Sequence, residues 1–508
     1  MDTQMLWYAL SWIIVYLSIK TIYRLYFHPL SKIPGPRLTA ATHLYEFYYD
    51  VILGGKFLFQ IEKMHQTYGP IVRINPREVH INDPTFYDDI YASSTVKRDK
   101  DPQFVTTFGL PLSMVSTVGH EHHRFRRNIL NSFFSKRSVL ELSPLIEERV
   151  QKLMERFEGF HSSGSVVRMD DAFAALTSDV ITAYSYGKSW LFLEDEAFRS
   201  DIRKAVADIT SIFHLNRFFP LLTRVMRMVP LEVMALLQPG KTSLLKFQED
   251  IFKQSADSLV TENTASQRKM SAVRRNIYDK LTDNSLPSAE RTLQRIQDEG
   301  IVLLAAGTET TGRALTIASF YLGRNRDMVK RLREELRTVM PRPTDMVSWT
   351  ALEKLPYLTG VVYESLRLSY GLTIRLPRVS PKDALKYDEY VIPPGTPMSS
   401  CTYLIHRNET IFPDAESFEP ERWVRATEEG KNLTRYIASF TRGSRACLGM
   451  NLAYMELYLT LASFARRFDF ELHNTTVEDM RITSDVGIGF TRRGDLQVYA
   501  KVTGIVKD

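Results

Sequence analysis

Apolar and charged positions alternate at helical spacing over much of this chain. Residues three and four positions apart share one helix face, so this spacing predicts amphipathic helices. Four segments carry it: 143–160, 194–213, 244–264 and 329–340. A longer helix is predicted over 288–323, and its segment 301–307 is apolar all round, which is typical of a buried helix.

Strand patterns are short and few. Residues 71–75, ended by Pro76, and residues 80–82 predict an early hairpin, and 387–394 and 494–502 predict further strands. No repeat or second linker follows residue 38, so we predict one large domain over 38–508. The predicted fold is mainly α with small β-sheets.

The first residues predict a membrane anchor. Residues 5–19 carry no charge and include Trp7 and Trp12, aromatic residues that suit a membrane interface. Lys20 and Arg24 follow, which predicts a single-pass helix with the bulk of the chain in the cytosol. A cleaved signal peptide would need a cleavage site of small residues, which this segment lacks. A buried core helix is the other alternative. We assign 1–27 to the anchor and the proline-rich 28–37 to a stiff hinge.

Composition narrows the class of protein. Of 508 residues, 44% are hydrophobic and 24% charged, which is ordinary globular composition. The net charge of +6 is a mild basic excess. It suits an acidic membrane surface or protein partner, and we expect no nucleic-acid partner. Two cysteines, Cys401 and Cys447, exclude a disulfide framework and a multi-thiolate zinc site.

The segment around Cys447 carries the clearest chemistry. Residues 440–449 read F-T-R-G-S-R-A-C-L-G, and an apolar helix pattern follows. A thiolate at a helix N-terminus is stabilised by the helix dipole. Gly443 and Gly449 allow close approach to a flat ligand, Arg445 neutralises an acid group on it, and Phe440 packs against its ring. We therefore predict a haem-thiolate site with Cys447 as the axial iron ligand. The alternative is a buried cysteine in a glycine turn.

This ten-residue pattern resembles the cytochrome P450 superfamily at each defined position. The resemblance implies the cytochrome P450 fold and haem b as cofactor. Glu364 and Arg367 resemble the family's E-x-x-R pair, and Arg422 resembles its third partner. Together they imply a buried network that locks the loop around Cys447.

The predicted buried helix resembles the family's oxygen-activating stretch. In A-G-T-E-T-T at 306–311, the resemblance implies that Thr310 is the hydroxyl and Glu309 the acid of a proton relay. The family more often has Asp at the position of Glu309.

Four residues match the family's haem-propionate contacts. They are His123, where the family has Trp, and Arg127, Arg378 and His406. A lone His or Arg at such positions is otherwise a surface residue.

The activity implied is that of a membrane-anchored monooxygenase in the endoplasmic reticulum membrane, with a cytosolic catalytic domain. Electrons would come from an NADPH-dependent flavoprotein reductase, with cytochrome b5 as an additional donor. Five basic residues are candidates for docking an acidic partner: Arg124, Arg126, Lys136, Arg137 and Arg442.

The resemblance implies that five segments form the walls of the substrate pocket: 104–114, 209–222, 302–306, 373–376 and 486–490. They are mainly apolar, which favours hydroxylation or epoxidation of a lipophilic terpenoid or polyketide intermediate. General likeness is greatest to filamentous-fungal secondary-metabolism members of the trichodiene-oxygenase-like group. Two alternatives stay open: a haem-thiolate isomerase or dehydratase that needs no dioxygen, and a non-catalytic haem protein.

Overall fold

Helices make up most of the computed structural model, which describes residues 3–230, 232–233, 248–253, 255–256 and 276–507. Its α-helices are α1 Thr3–Ile22, α2 Arg37–Ala41, α3 Leu44–Phe47, α4 Phe57–Tyr68, α5 Tyr87–Ile90, α6 His120–Asn131, α7 Lys136–Leu140, α8 Ser143–Ser163, α9 Met169–Tyr186, α10 Ser200–Ser211, α11 Phe213–Phe218, α12 Pro220–Met226, α13 Ile277–Leu281, α14 Leu293–Arg324, α15 Arg326–Arg337, α16 Trp349–Leu352, α17 Pro356–Ser369, α18 Thr402–His406, α19 Glu421–Glu428 and α20 Met450–Arg467. Short 3₁₀ turns include Phe104–Phe108, Phe192–Glu194, Ser288–Glu290 and Gly443–Arg445.

Twelve short strands in the described residues form small sheets. They are β1 Ile71–Arg73, β2 Val79–Ile81, β3 Asp99–Lys100, β4 Val166–Arg168, β5 Arg378–Val379, β6 Leu385–Tyr387, β7 Tyr390–Ile392, β8 Pro397–Ser399, β9 Phe468–Leu472, β10 Ser484–Asp485, β11 Gly489–Phe490 and β12 Tyr499–Ile505. The largest sheet has the order β1-β2-β8-β5-β3, in which only β2 and β8 run parallel. A second sheet has the order β4-β12-β9. The predicted fold class, mainly α with small sheets, is confirmed.

The long helix α14 is the centre of the core. Its first turn is capped by Thr292, whose hydroxyl accepts from the Arg295 amide at 3.3 Å. The predicted start at residue 288 is too early, because residues 288–290 form a 3₁₀ turn. A side-chain carbon at Gly307 would lie 2.8 Å from Ile181, so glycine here allows α9 to pack closely against α14.

Other predicted boundaries differ for local reasons. The helix predicted over 194–213 begins at Ser200, because Phe198 and Arg199 have left-handed φ angles of 56° and 49°. The early hairpin is confirmed by antiparallel β1 and β2. The strand predicted over 387–394 is instead part of a hairpin, β6–β7, and the one over 494–502 starts only at Tyr499. Most of 244–264 lies outside the described residues.

The N-terminal helix stands apart from the core. Helix α1 continues into a π-helical turn, Tyr23–Phe27. The most apolar stretch of 18 residues within 3–27 has a mean hydropathy of 1.5, and none of its side chains is buried. By length and composition this is the one helix of the described residues that could cross a membrane. The following prolines lie against the first sheet, since the Arg73 amide donates to the Pro34 carbonyl at 2.7 Å.

Candidate functional site

Cys447 lies in a short loop between a 3₁₀ turn and helix α20. Its backbone amide donates to the Phe440 carbonyl at 2.8 Å, which closes the loop. The side chain is accessible. Its surroundings raise the pKa of the thiol by desolvation, whereas the Gly449 amide and Arg127 favour the thiolate. Phe440 packs its ring against Tyr454, with centroids 5.2 Å apart.

The two glycines of the loop have different roles. Gly443 has a left-handed φ of 72°, and an added side-chain carbon would collide with the carbonyl oxygens of Tyr91 and Ala92. The expectation that Gly443 makes room for a ligand is therefore corrected, because it makes room for the protein's own backbone. An added carbon at Gly449 would meet no protein atom within 4 Å.

Basic side chains gather beside the Cys447 loop. Arg127 donates to the Ala446 carbonyl at 2.6 Å. Arg445, two residues before the cysteine, donates to the Thr117 carbonyl at 2.7 Å, and its Nε has no partner. Arg378 is buried on β5. Arg127 and Arg445 are thus held in place by backbone carbonyls, and the Arg445 guanidinium keeps an N–H that can bind a ligand.

Two further basic groups join this cluster. Burial, together with the positive charges of Arg445 and Lys100, lowers the pKa of His123 to about 2, so the imidazole is neutral. Lys100 is buried on β3, directly opposite Arg378 on β5. Burial, Arg378 and Arg445 together hold the pKa of Lys100 well below its usual range. Like charges that oppose each other across strands destabilise a sheet. A ligand with acidic groups would stabilise the charged forms of this cluster.

Lys100 is a member of the cluster that its local sequence does not reveal. It stands in K-R-D-K-D at 97–101, where alternating charges are typical of a solvated surface. Only the pairing of β3 with β5 brings it opposite Arg378. Asp99 offsets part of the charge, at Arg445.

His406 does not belong to the cluster, and its predicted role is corrected. One ring nitrogen pairs with the Arg367 carbonyl at 2.8 Å, and the other accepts from the Ala438 amide at 2.8 Å. Burial lowers its pKa to about 3, so the ring is neutral. With both nitrogens bound to backbone, His406 has no group left for a carboxylate ligand.

Glu364, Arg367 and Arg422 form a fully buried network. The Glu364 carboxylate accepts from Arg367 at 2.7 and 2.9 Å and from Arg422 at 3.0 Å. It also accepts from the Trp423 ring and the Glu419 amide, both at 2.9 Å.

This network reaches the segment before Cys447. Arg367 donates to the His406 carbonyl at 3.0 Å, and the His406 ring holds the Ala438 amide. On the same helix, the Leu366 carbonyl accepts from the Ser439 hydroxyl at 2.7 Å. The predicted three residues are thus brought together, and they hold the chain that leads into the cysteine loop.

The threonines of α14 point to different neighbours. Thr308 pairs with Ser178 of α9 at 3.0 Å, and Thr311 bonds to Glu456 of α20. Thr310 bonds only within its own helix, to the Ala306 carbonyl at 2.8 Å. Ala306 is exposed and Thr310 half-exposed, although most of this stretch of helix is buried. Thr310 therefore presents the hydroxyl that is accessible.

Glu309 faces α10 and the end of the chain. Its Oε1 lies 3.5 Å from Arg203 Nε and has no hydrogen-bond partner. Burial raises the pKa of Glu309, against the opposing effect of Arg203. The side chain is thus an acid that holds its proton more strongly than an exposed Glu.

Four of the implied substrate walls meet. The rings of Phe108 and Phe213 lie 5.8 Å apart, and the Thr373 amide donates to the Gly487 carbonyl at 3.0 Å. Asn216 also donates to the Thr107 carbonyl at 3.2 Å. These segments are far apart in sequence, and the fold joins them on one side of the core.

The predicted docking role is wrong for one of the five basic residues, because Arg126 is buried. It binds Glu290 at 2.8 Å and the Leu112 carbonyl at 2.8 Å. Arg124 and Arg137 are exposed. Lys136 binds Glu353 at 2.8 Å, and Arg442 binds Asp88 at 2.9 Å.

These features define a member of the cytochrome P450 family, and comparison with known proteins agrees. The family model described as Cytochrome P450 matches residues 34–495, so the chain belongs to this family. It is 43% identical over 475 residues to "Cytochrome P450 monooxygenase TRI4" of Fusarium sporotrichioides, covering 94% of this chain and 90% of that protein. It is 42% identical over 499 residues to "Cytochrome P450 monooxygenase aflU" of Aspergillus parasiticus, covering 98% of each.

A third relative has a different name. "Conidiogenone synthase PchP450" of Penicillium rubens is 43% identical over 479 residues, covering 94% of this chain and 95% of that protein. The chain is thus a cytochrome P450 monooxygenase, and its predicted resemblance to fungal secondary-metabolism members is confirmed. Family membership implies a haem-thiolate cofactor. The residues present fit that group, since an accessible cysteine lies beside a buried cluster of basic side chains that the acidic groups of haem would stabilise.

Proposed function

We propose that this protein is a membrane-anchored haem-thiolate monooxygenase that oxidises a lipophilic intermediate of fungal secondary metabolism. The observation that carries the proposal is the cation cluster of Lys100, Arg378 and Arg445 beside the Cys447 loop. Buried cations without matching carboxylates are costly unless a ligand supplies the negative charge. The two propionates of haem b would do so.

In this proposal Cys447 would hold the haem iron through its thiolate. Arg127, Arg445, Arg378 and Lys100 would hold the propionates, and His123 would contribute a neutral imidazole. When bound, the haem-thiolate group supplies dioxygen activation, in which thiolate donation favours cleavage of the O–O bond.

Thr310 and Glu309 have the proton-handling roles. The accessible Thr310 hydroxyl holds water on the face it shares with Ala306, and the neighbouring Glu309 carboxyl supplies protons. Thr310→Ala is expected to retain haem while more peroxide forms per NADPH oxidised. Thr308→Ala is the matched control, because Thr308 is buried against α9. Equal peroxide yields from the two variants would contradict this role.

We infer a lipophilic small molecule as the substrate, because the pocket walls near Phe108, Phe213 and Ile374 are apolar. A terpenoid or polyketide intermediate fits, with hydroxylation or epoxidation as the reaction. Electrons come from an NADPH-dependent flavoprotein reductase on the same membrane. Arg124, Lys136 and Arg137 lie on α6 and α7 beside the cysteine loop and favour an acidic docking partner.

A surface besides α1 supports association with the endoplasmic reticulum membrane. Leu44, Tyr48 and Ile52 are exposed near the N-terminal segment, as are Leu221 and Met228 near α12. The two groups adjoin, because the Phe47 ring contacts Phe218 and Phe219 with centroids 5.2 and 5.9 Å apart. Exposed apolar patches of this kind mark interaction sites. We propose that this face rests on the membrane that α1 spans.

The first test is the carbon monoxide difference spectrum of the dithionite-reduced protein in membranes. Thiolate-ligated haem gives a strongly red-shifted Soret band, which is expected of wild type and of Cys401→Ser but not of Cys447→Ser. Cys401 is the control because its thiol is buried and bonded to the Thr373 carbonyl at 3.1 Å. A band typical of histidine-ligated haem in the wild type would overturn the proposal. Turnover without NADPH and reductase would instead indicate an isomerase.

A further inference from the structure

A small cavity lies between helices α9, α10 and α14. Its volume is about 10 Å³, and its walls include Asp170, Arg203, Glu309 and Arg313. This is about the space that one water molecule occupies, provided that polar partners are present.

Polar partners for a water molecule are present, and two of their atoms make no hydrogen bond. Glu309 Oε1 and Arg313 Nε are both buried without a hydrogen-bond partner, and both residues line the cavity. Asp170 closes another side, at the start of α9. One acceptor, one donor and a second carboxylate satisfy the two to four partners that a buried water typically has.

The charges around the cavity are unequal. Four charged groups line it: Asp170 of α9, Arg203 of α10, and Glu309 and Arg313 of α14. The charged or titratable groups next to these four are Asp171 of α9, Arg168 of β4, Asp495 before β12, and Tyr370 after α17. Four carboxyl groups therefore face three guanidinium groups. The cluster is neutral only when one carboxyl holds a proton.

The two carboxyls that line the cavity are the ones that favour the proton. Burial raises the pKa of Asp170 to about 6, against the opposing effects of Arg203 and Arg168. Burial also raises the pKa of Glu309. At Asp495 burial is outweighed by Arg203, and the pKa is lowered.

The cluster also reaches the surface. Arg203 binds Asp170 at 2.6 Å and Asp495 at 3.0 Å, and Arg168 bridges the same two carboxylates at 2.9 and 2.8 Å. The side chains of Arg168 and Asp495 are 26% and 17% exposed, so solvent protons can arrive there.

We propose that Asp170 returns protons to Glu309 through one water molecule held in this cavity. The inference rests on the proposed function, in which Glu309 donates protons during oxygen activation. Each time Glu309 gives up its proton, the cavity water donates one to the Glu309 carboxylate and receives one from Asp170. Asp170 is then reprotonated from solvent. Asp170 thus acts through Glu309 and touches no reacting atom.

The test compares Asp170→Asn with Asp171→Asn in the full-length holoenzyme with its reductase. Both variants remove one negative charge from Arg203, but Asp171 does not line the cavity. Asn keeps an oxygen that can accept from the Val498 amide, as Asp170 does at 2.9 Å. The measurements are the rate of NADPH oxidation under dioxygen, its pH profile and its solvent deuterium isotope effect, none of which needs an identified substrate.

For Asp170→Asn we expect NADPH oxidation to slow by about tenfold, less than the ~10²-fold or more that loss of a general acid itself costs. Its solvent isotope effect should rise, while Asp171→Asn stays close to wild type. An unchanged rate in Asp170→Asn, or an equal loss in both variants, would overturn the proposal. Equal loss would mean that the cluster acts only through its charge.

A second readout does not depend on turnover. Infrared titration of the resting holoprotein should show a protonated-carboxyl band that titrates near pH 6, because burial raises the pKa of Asp170 to about 6. This band is distinct from that of the buried Glu456 carboxyl, whose pKa lies well above its usual range. The band that titrates near pH 6 should be absent from both Asp170→Asn and Glu309→Gln. A band that persists in Glu309→Gln would show that the proton is not shared, even if Asp170→Asn failed to bind haem. Failure of the monooxygenase assignment is distinguishable, since it would appear in the wild-type carbon monoxide spectrum.

Discussion

Replacement of Glu364 by alanine tests the link between the buried network and the haem site. The Glu364 carboxylate accepts five hydrogen bonds, from Arg367, Arg422, Trp423 and the Glu419 amide. It is fully buried. Glu364→Ala would leave two buried guanidinium groups without their shared counter-charge.

The expected cost follows from this geometry. Breaking a buried ion pair by removing one partner costs about 3–5 kcal/mol. Domains unfold with only about 5–15 kcal/mol, so the variant would lose a large share of its stability. Because Arg367 and His406 hold the segment before Cys447, the loss should fall first on the cysteine loop.

Two measurements check this prediction. Denaturant unfolding gives the loss of free energy, and the reduced carbon monoxide spectrum gives the haem content per protein. The control is Glu471→Ala, which breaks the surface pair with Arg326 at 2.6 Å, where Glu471 is 60% exposed. Exposed pairs contribute about 0–1 kcal/mol. Wild-type haem content in Glu364→Ala would refute the reasoning.

Three further outcomes are expected. Gly443→Ala should lose stability, since a left-handed φ alone costs a non-glycine residue about 1–2 kcal/mol, whereas Gly449→Ala should keep the wild-type free energy of unfolding. Denaturant unfolding of the two apoproteins compares them, and an equal loss of stability would contradict the different roles. Lys100→Met should stabilise the apoprotein, which denaturant unfolding measures. The same variant should lose haem faster, which the rate of haem transfer to an acceptor protein measures. Slower haem loss would argue against a contact between Lys100 and a propionate. Burial lowers the folded-state pKa of His406 to about 3, so folding favours the neutral ring. The resulting contribution to the free energy of unfolding is fully present above the unfolded-state pKa of ~6.5. It is lost as the pH falls below that value, by up to about 1.4 kcal/mol per pH unit. Urea unfolding between pH 7 and 5 measures that slope, and a free energy of unfolding independent of pH would contradict it.

The local chemistry of this protein could be predicted from its sequence because it depends on residues close together in the chain. The pattern from Phe440 to Gly449 contains the cysteine, its glycines and its arginine within ten positions. The apolar segment 301–307 identified the buried helix in the same way, and the resemblance to the family then indicated Thr310 as its hydroxyl. Uncharged residues 5–19 likewise identified the apolar N-terminal helix.

Boundaries and partnerships were less predictable, because backbone conformation and long-range packing decide them. Left-handed φ angles at Phe198 and Arg199 delayed a helix start that periodicity placed earlier. His406 had a residue type suited to a propionate, but neighbouring carbonyl and amide groups use both of its nitrogens. Arg126 looked like a surface charge and is a buried partner of Glu290.

The sequence by itself determined the class of chemistry, because a thiolate at a helix start and a buried helix with a threonine are local features. Only the tertiary structure decided which charges meet. Lys100 and Arg378 are 278 positions apart and oppose each other only because β3 pairs with β5. Asp170 and Glu309 line one cavity only because α9 packs against α14. Electrostatic energies depend on distance in space, and the fold sets that distance.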